Sequence, residues 1–237
     1  MLGIDNIPPC GFGNRVIFYY NLRQEAKMRN KDFFCIPWEG HQFFQGNLLG
    51  KFPPKEQYER FNFCLGERFF DESGLSSRKV FQLKNKPSVP PKTCAIHFRG
   101  TDFHSWNPDS ILKKDYYLES ISEFSNSVEN YILFTDDHNL ESYKKVVEYL
   151  SSKGSSVFYG QNTHDRRHYI SDFSIMSECD YLISSPSTYC LSSGFIGKEK
   201  KIIHSKEWVL NRVEKSDMFW VNLYNGGNED YKLWKLI

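Results

Sequence analysis

The chain has 237 residues, with 30 Lys and Arg against 29 Asp and Glu and a formal net charge of +1; at roughly 100–200 residues per domain this makes one large domain or two small ones. The balance excludes a dedicated nucleic-acid binder, which needs a cationic surplus to displace counterions from phosphate, while leaving room for a local basic cleft. With 40% hydrophobic and 25% charged residues the chain is globular rather than disordered, and no apolar run approaches the roughly 18 residues of a membrane span.

The opening stretch, MLGIDNIPPCGFGN, has no charged segment followed by an apolar one, so no leader is expected. Cysteines fall at 10, 35, 64, 94, 179 and 190, with no C-x-x-C pair and no zinc spacing. An even number leaves disulfides open, but reduced thiols in a cytoplasmic protein are the expectation, without a metal site and without cysteine catalysis. Gly11 to Asn14 reads as a turn. The spacing of Val16, Phe18, Tyr19, Leu22 and Ala26 predicts a helix over 15–28. Phe33 to Ile36 reads as a short buried strand ended by Pro37, and residues 55–65 as another helix. Three prolines within Lys84 to Lys92 can continue neither a helix nor a central strand, so this stretch is read as a linker between domains.

Beyond it the pattern is regular. Strands are predicted at 93–98, 131–135, 156–159, 181–183 and 201–204. Helices are predicted at 115–124, 139–150, 171–178 and 188–196. This alternation predicts βαβ units around a parallel sheet. Ligands of such sheets sit beyond the carboxyl ends of the strands, and three polar clusters lie there: His97 to Asp102, Thr135 to Asp137, and Ser184 to Thr188. Singly, each is most often structural, an ion pair in the first case and a helix N-cap in the other two. Together they suit an anion. A helix start offers free N–H groups and positive potential, Ser187 and Thr188 add hydroxyls, and the Arg99 guanidinium can fork onto phosphate. No Walker loop and no G-x-G-x-x-G is present; Gly11-x-Gly13 is a fragment of the latter.

Four segments, in order, resemble α-1,2-fucosyltransferases. Gly11 to Arg15 is similar to their GLGNQ segment, His97 to Phe103 to H-x-R-R-G-D-Y, and Tyr131 to Asp137 to FxxFSDD. Asp172 to Cys179, followed by Ser187 to Tyr189, is similar to DLxLMSxC…NSSFSWW. The resemblance implies a GT-B-like α/β fold of two Rossmann-like domains: a reduced acceptor-side domain over 1–86, a GDP-sugar-binding domain over 87–205, and a segment 206–237 returning to the first. It implies inverting transfer of L-fucose from GDP-fucose to a glycan hydroxyl, with no metal or other cofactor. Arg99 would bind the β-phosphate, Asn14 and Gly13 would approach from the opposite domain, and Ser187 and Thr188 would hold the phosphates. His97 and Asp172 would read guanine, a carboxylate there rejecting adenine. Asp136 and Asp137 would contact the nucleotide or cap their helix.

Asp102 is the candidate general base by position, or else an ion-pair partner orienting Arg99; His104 and Asp5 are further candidates, and a dissociative transfer needs no true base. Tyr19, Tyr20, Phe43, Phe44 and Trp106 either stack on acceptor sugars or pack in the core. Gly100 stands where the family has a second Arg, Arg15 replaces Gln, and the Asn and both Trp of the last block are missing. The alternatives are another GDP-sugar on the same scaffold, or a homologue that binds a nucleotide sugar or glycan without turnover. Acceptor and linkage are left open by the motifs.

Overall fold

A computed structural model of the chain describes residues 1–7, 10–53, 57–62, 75–161, 169–214 and 234–237. The first part contains β1 (Leu2–Ile4), α1 (Phe12–Met28), β2 (Phe33–Cys35), α2 (Gly40–Phe43), β3 (Glu59–Arg60) and α3 (Ser77–Val80). The strands form a parallel sheet in the order β2-β1-β3. Two expectations are corrected here. Glu59 and Arg60, assigned to a helix over 55–65, are extended beside Leu2 and Gly3. Gly11 to Asn14 is not a free turn: Gly11, extended, precedes a helix that begins at Phe12. That helix is also more deeply buried than one apolar stripe requires. Val16, Ile17, Phe18, Tyr19, Tyr20 and Leu22 are all covered, because α1 has β1 and β2 on one side and a helix of the second sheet on another.

The second part continues with β4 (Thr93–Phe98), α4 (Phe103–Trp106), α5 (Lys114–Phe124), β5 (Asn130–Thr135) and α6 (Glu141–Ser152). Then come β6 (Ser156–Tyr159), α7 (Tyr169–Glu178), β7 (Tyr181–Ile183), α8 (Thr188–Phe195), β8 (Lys201–His204), α9 (Lys206–Glu214) and β9 (Trp234–Leu236). All pairings are parallel, in the order β6-β5-β4-β7-β8-β9. Alternate β4 residues serve opposite faces. Cys94, Ile96 and Phe98 pack with α5 and α6, while Ala95 packs with Met176 and Cys179 of the α7 side and Cys190 of α8. A parallel sheet covered on both faces explains why its inner strands read as apolar runs. The order runs outward from β4 to β6 on one side and from β7 to β9 on the other, so the chain reverses direction across the sheet between β4 and β7. In Rossmann-like folds a ligand crevice opens at this point.

The two parts share packing. Phe173 of α7 and Ile196 beyond α8 belong to the same apolar cluster as the α1 side chains, and the Ser77 hydroxyl donates to the Phe195 carbonyl at 2.7 Å. The expectation that 206–237 returns to the first part meets a different arrangement in its described residues. β9 adds to the second sheet beside β8, and the Lys206 N–H donates to the Ile237 carbonyl at 2.7 Å. An exposed backbone edge on β8 is thereby satisfied within the same sheet. The α7 and α8 ends are pinned by Lys200, 3% exposed. Its Nζ donates to the carbonyls of Met176 (3.1 Å), Ser177 (2.6 Å) and Ser193 (3.4 Å), and burial pulls its pKa down to about 7.

Candidate functional site

The reversal point is built from the ends of β4 and β7. His97, the fifth residue of β4, points to the α7–α8 face, where its Nδ1 lies 2.7 Å from the Ser185 hydroxyl just beyond β7. Its ring is 5.7 Å from that of Tyr189 in the first turn of α8. Burial pulls the His97 pKa down to about 4, against the opposing pull of Asp136, while Arg99 adds to the depression. The imidazole is therefore neutral near pH 7, with one hydrogen-bonding edge held by Ser185.

Two residues on, the backbone leaves the sheet and Arg99 is held from both sides. Its Nη2 is 2.8 Å from Asp102 Oδ1 and its Nη1 2.6 Å from Asp136 Oδ2, and Phe103 lies under the guanidinium at 5.4 Å. Asp136 also accepts from the Gly100 N–H (2.7 Å) and the Thr101 hydroxyl (2.8 Å), so one carboxylate at the end of β5 fixes three consecutive residues after β4. Asp137 does not cap α6. It accepts from the Asn139 N–H at 2.8 Å and faces His104 Nε2 at 3.1 Å, and α6 starts after Leu140 with no side-chain cap. Asp137 also accounts for Gly100: a Cβ there would stand 2.7 Å from the Asp137 Cβ and 3.1 Å from Leu140. The second arginine of the fucosyltransferase pattern is excluded by packing.

The start of α1 is pressed against the start of α8. A Cβ on Gly13 would lie 2.3 Å from the Tyr189 backbone nitrogen and 2.4 Å from the Thr188 carbonyl carbon, so these backbones approach as only glycine allows. The buried Ser192 hydroxyl bridges the Gly13 and Thr188 carbonyls at 3.2 and 2.6 Å. Asn14 comes next on the same first turn. Arg15 pairs with Glu39 at 2.9 Å, and the Tyr169 hydroxyl reaches the same carboxylate at 3.4 Å, joining α1, the segment after β2 and the start of α7. Ser187 occupies the N-cap of α8, but its hydroxyl makes no capping bond, contrary to the ordinary role of serine there. Asp172, 7% exposed, sits in the first turn of α7 and accepts from the Gln161 N–H at 2.8 Å. Its charge also bears on the Tyr189 hydroxyl, which burial raises well above the ordinary value.

His97, Arg99, Asp136, Asp172, Ser187 and Thr188 thus lie along one edge of the second sheet, with Gly13 and Asn14 brought to it by α1. Ser187 and Arg99 come after adjacent strands, yet the guanidinium is turned toward the β5 side. Asp102 is an ion-pair partner of Arg99. Asp5 is taken by Arg60, with contacts of 2.8–3.0 Å, and by Tyr58 at 2.8 Å. Tyr19, Tyr20 and Phe44 are core. Cys64, the polar residues from His164 to His168, Trp220 and the residues from Asn225 to Asn228 lie outside the described residues. The partnership of Ser185 with His97 has no local signature, since 88 residues separate them; its one sequence signal is membership of the Ser184 to Thr188 cluster. A second buried pair, Ser184 Oγ and His204 Nδ1 at 2.7 Å, stands beside it.

Among the described residues no group of His, Cys, Asp and Glu is arranged for a metal ion, and no helix is long and apolar enough to cross a membrane. Comparison with protein-family models, with curated proteins and with solved structures produced no match.

Proposed function

We propose that this chain is an inverting glycosyltransferase that moves L-fucose from GDP-fucose to a glycan hydroxyl, of the α-1,2 type, without a metal, on a GT-B scaffold with a reduced N-terminal domain. The observation that carries the reading is the convergence of its four motif-bearing segments. The β4, β5 and β7 ends, the α7 and α8 starts and the α1 start meet at the place where the strand order reverses. In this reading the pyrophosphate lies between Arg99 and the α8 start at Ser187 and Thr188, with Asn14 across from them and Gly13 permitting the approach. Guanine lies toward His97 and Asp172. A neutral His97 suits a base edge better than a phosphate.

Breaking the glycosyl–phosphate bond leaves negative charge on departing GDP. Donors already aimed at that charge contribute about 3 kcal/mol each to the transition state. Arg99 is the strongest of them because its planar fork matches two phosphate oxygens. Asp136 keeps the fork in place, and Asp102 acts on Arg99 rather than as the base on the acceptor hydroxyl.

The test is a thermal-shift panel of GDP, UDP and ADP, then transfer from GDP-fucose to a glycan array. Stabilisation by GDP over UDP, fucosylated product, and loss of product in a folded Arg99→Ala protein are expected. A preference for UDP, or near-normal turnover by Arg99→Ala, would overturn the reading. A second reading, a homologue that binds the nucleotide sugar without turnover, is favoured by Gly100, which leaves the H-x-R-R position with a single guanidinium. GDP binding with no transfer to any glycan would select it.

A further inference from the structure

Arg99 has five N–H donors in a rigid fork, and its two terminal nitrogens each hold a carboxylate. The two carboxylates are not equivalent. Asp136 is 19% exposed and is bound in addition by the Gly100 N–H and the Thr101 hydroxyl, so it belongs to the framework. Asp102 is 57% exposed, and among the described residues its side chain is held by Arg99 alone. Asp102 also sits at the N-cap position of α4, yet makes no cap bond with that helix. The first N–H groups of that short helix are already engaged, Phe103 and His104 with the Gly100 carbonyl and Ser105 with the Asp102 carbonyl, so no bond to the helix fixes the Asp102 carboxylate.

Resting on the reading of Arg99 as a phosphate-binding residue, we propose that Asp102 is a displaceable counter-anion: it occupies the outer edge of the Arg99 fork until a diphosphate takes its place. Asp136, bound also by the Gly100 N–H and the Thr101 hydroxyl, keeps the fork aligned, and Asp102 competes with the incoming anion for its outer edge. Apparent affinity for the anion is reduced by the fraction of molecules in which the fork is occupied.

The experiment is titration calorimetry of the full chain with inorganic pyrophosphate and with GDP, with melting curves to establish folding of each variant. Exposed ion pairs contribute modestly, so Asp102→Asn is expected to tighten both ligands about three- to tenfold at low salt, the gain shrinking in about 0.5 M NaCl. Asp102→Glu retains a competing carboxylate and is expected to stay within about twofold of the parent, as is Asp109→Asn, which neutralises an exposed acid that is not an Arg99 partner. Weaker binding by folded Asp102→Asn would overturn the proposal, since an aspartate that merely orients Arg99 gives that result. An equal gain from Asp109→Asn would overturn it as well, by assigning the effect to bulk charge. Parental affinity in folded Arg99→Ala would instead remove the site reading itself, and this proposal with it.

Discussion

Gly13→Ala tests the contact on which the site depends. In an ordinary helix this substitution is favourable, since alanine is preferred over glycine by about 1 kcal/mol. The structure reverses the sign. The new methyl would lie 2.3 to 2.5 Å from three backbone atoms of Thr188 and Tyr189, and backbone inside a helix cannot rotate aside as a side-chain tip can. Relief requires α1 and α8 to separate by about an ångström, which breaks the Ser192–Gly13 hydrogen bond, worth about 1 kcal/mol, and loosens a packed contact at a further cost of about 1–3 kcal/mol. After the helix-propensity gain is set against these losses, the net destabilisation is about 2 kcal/mol. In a chain of this size that is a fall of roughly 4–8 °C in Tm. Urea and thermal denaturation measure it, with Gly11→Ala as the control, because nothing lies within 4 Å of a Cβ at Gly11. GDP binding by Gly13→Ala should weaken together with stability. A Gly13→Ala protein as stable as the parent would refute the close approach of the two helices, and with it the placement of Asn14 at the site.

Introducing the second arginine of the fucosyltransferase pattern by Gly100→Arg should fail, because its Cβ meets Asp137 before the guanidinium can reach any ligand; a Tm lower by several degrees and no gain in GDP affinity are expected, and tighter GDP binding would count against the packing account. Stability should fall as pH drops. Burial holds His97 at about 4 and His204 at about 3 in the folded chain, so the unfolded chain takes up protons from about pH 6.5 downward while the folded one does not. Their contribution is present above pH 6.5 and is lost as pH falls toward 4, by roughly 3 kcal/mol for each histidine. Denaturant midpoints that stay flat between pH 7 and 4.5 would contradict this. Lys200→Met leaves the Met176, Ser177 and Ser193 carbonyls without their donor and should cost about 1–3 kcal/mol in urea melts; an unchanged or raised midpoint would show that the amino group is dispensable.

Much of the second sheet is legible locally. Thr93–Phe98, Tyr181–Ile183 and Lys201–His204 are short apolar runs closed by polar or small residues, and a strand buried on both faces has to look that way. Ser156–Tyr159 is legible as well, bounded by Gly154 and Gly160. In the first sheet β1 has three residues and β3 two, too few for any period to show, and Glu59 and Arg60 are exposed and polar, so local pattern carried no strand signal there. The polar clusters at the strand ends could be located from sequence, because chain order alone sets which residues come after a predicted strand. Their partners could not.

The amino-acid order by itself determined the run of alternating elements and the residue types available beyond each strand. Tertiary structure alone decided the β6-β5-β4-β7-β8-β9 order and hence the reversal point. It turned Arg99 toward Asp136 and joined Ser185 to His97. It also made Gly13 and Gly100 obligatory through the atoms of Tyr189 and Asp137. The reason is physical. Hydrophobic period and backbone propensity act over a few residues and leave their mark in the local sequence, whereas a hydrogen bond or a steric contact between segments 36, 88 or 179 residues apart exists only once the sheet has set their distance.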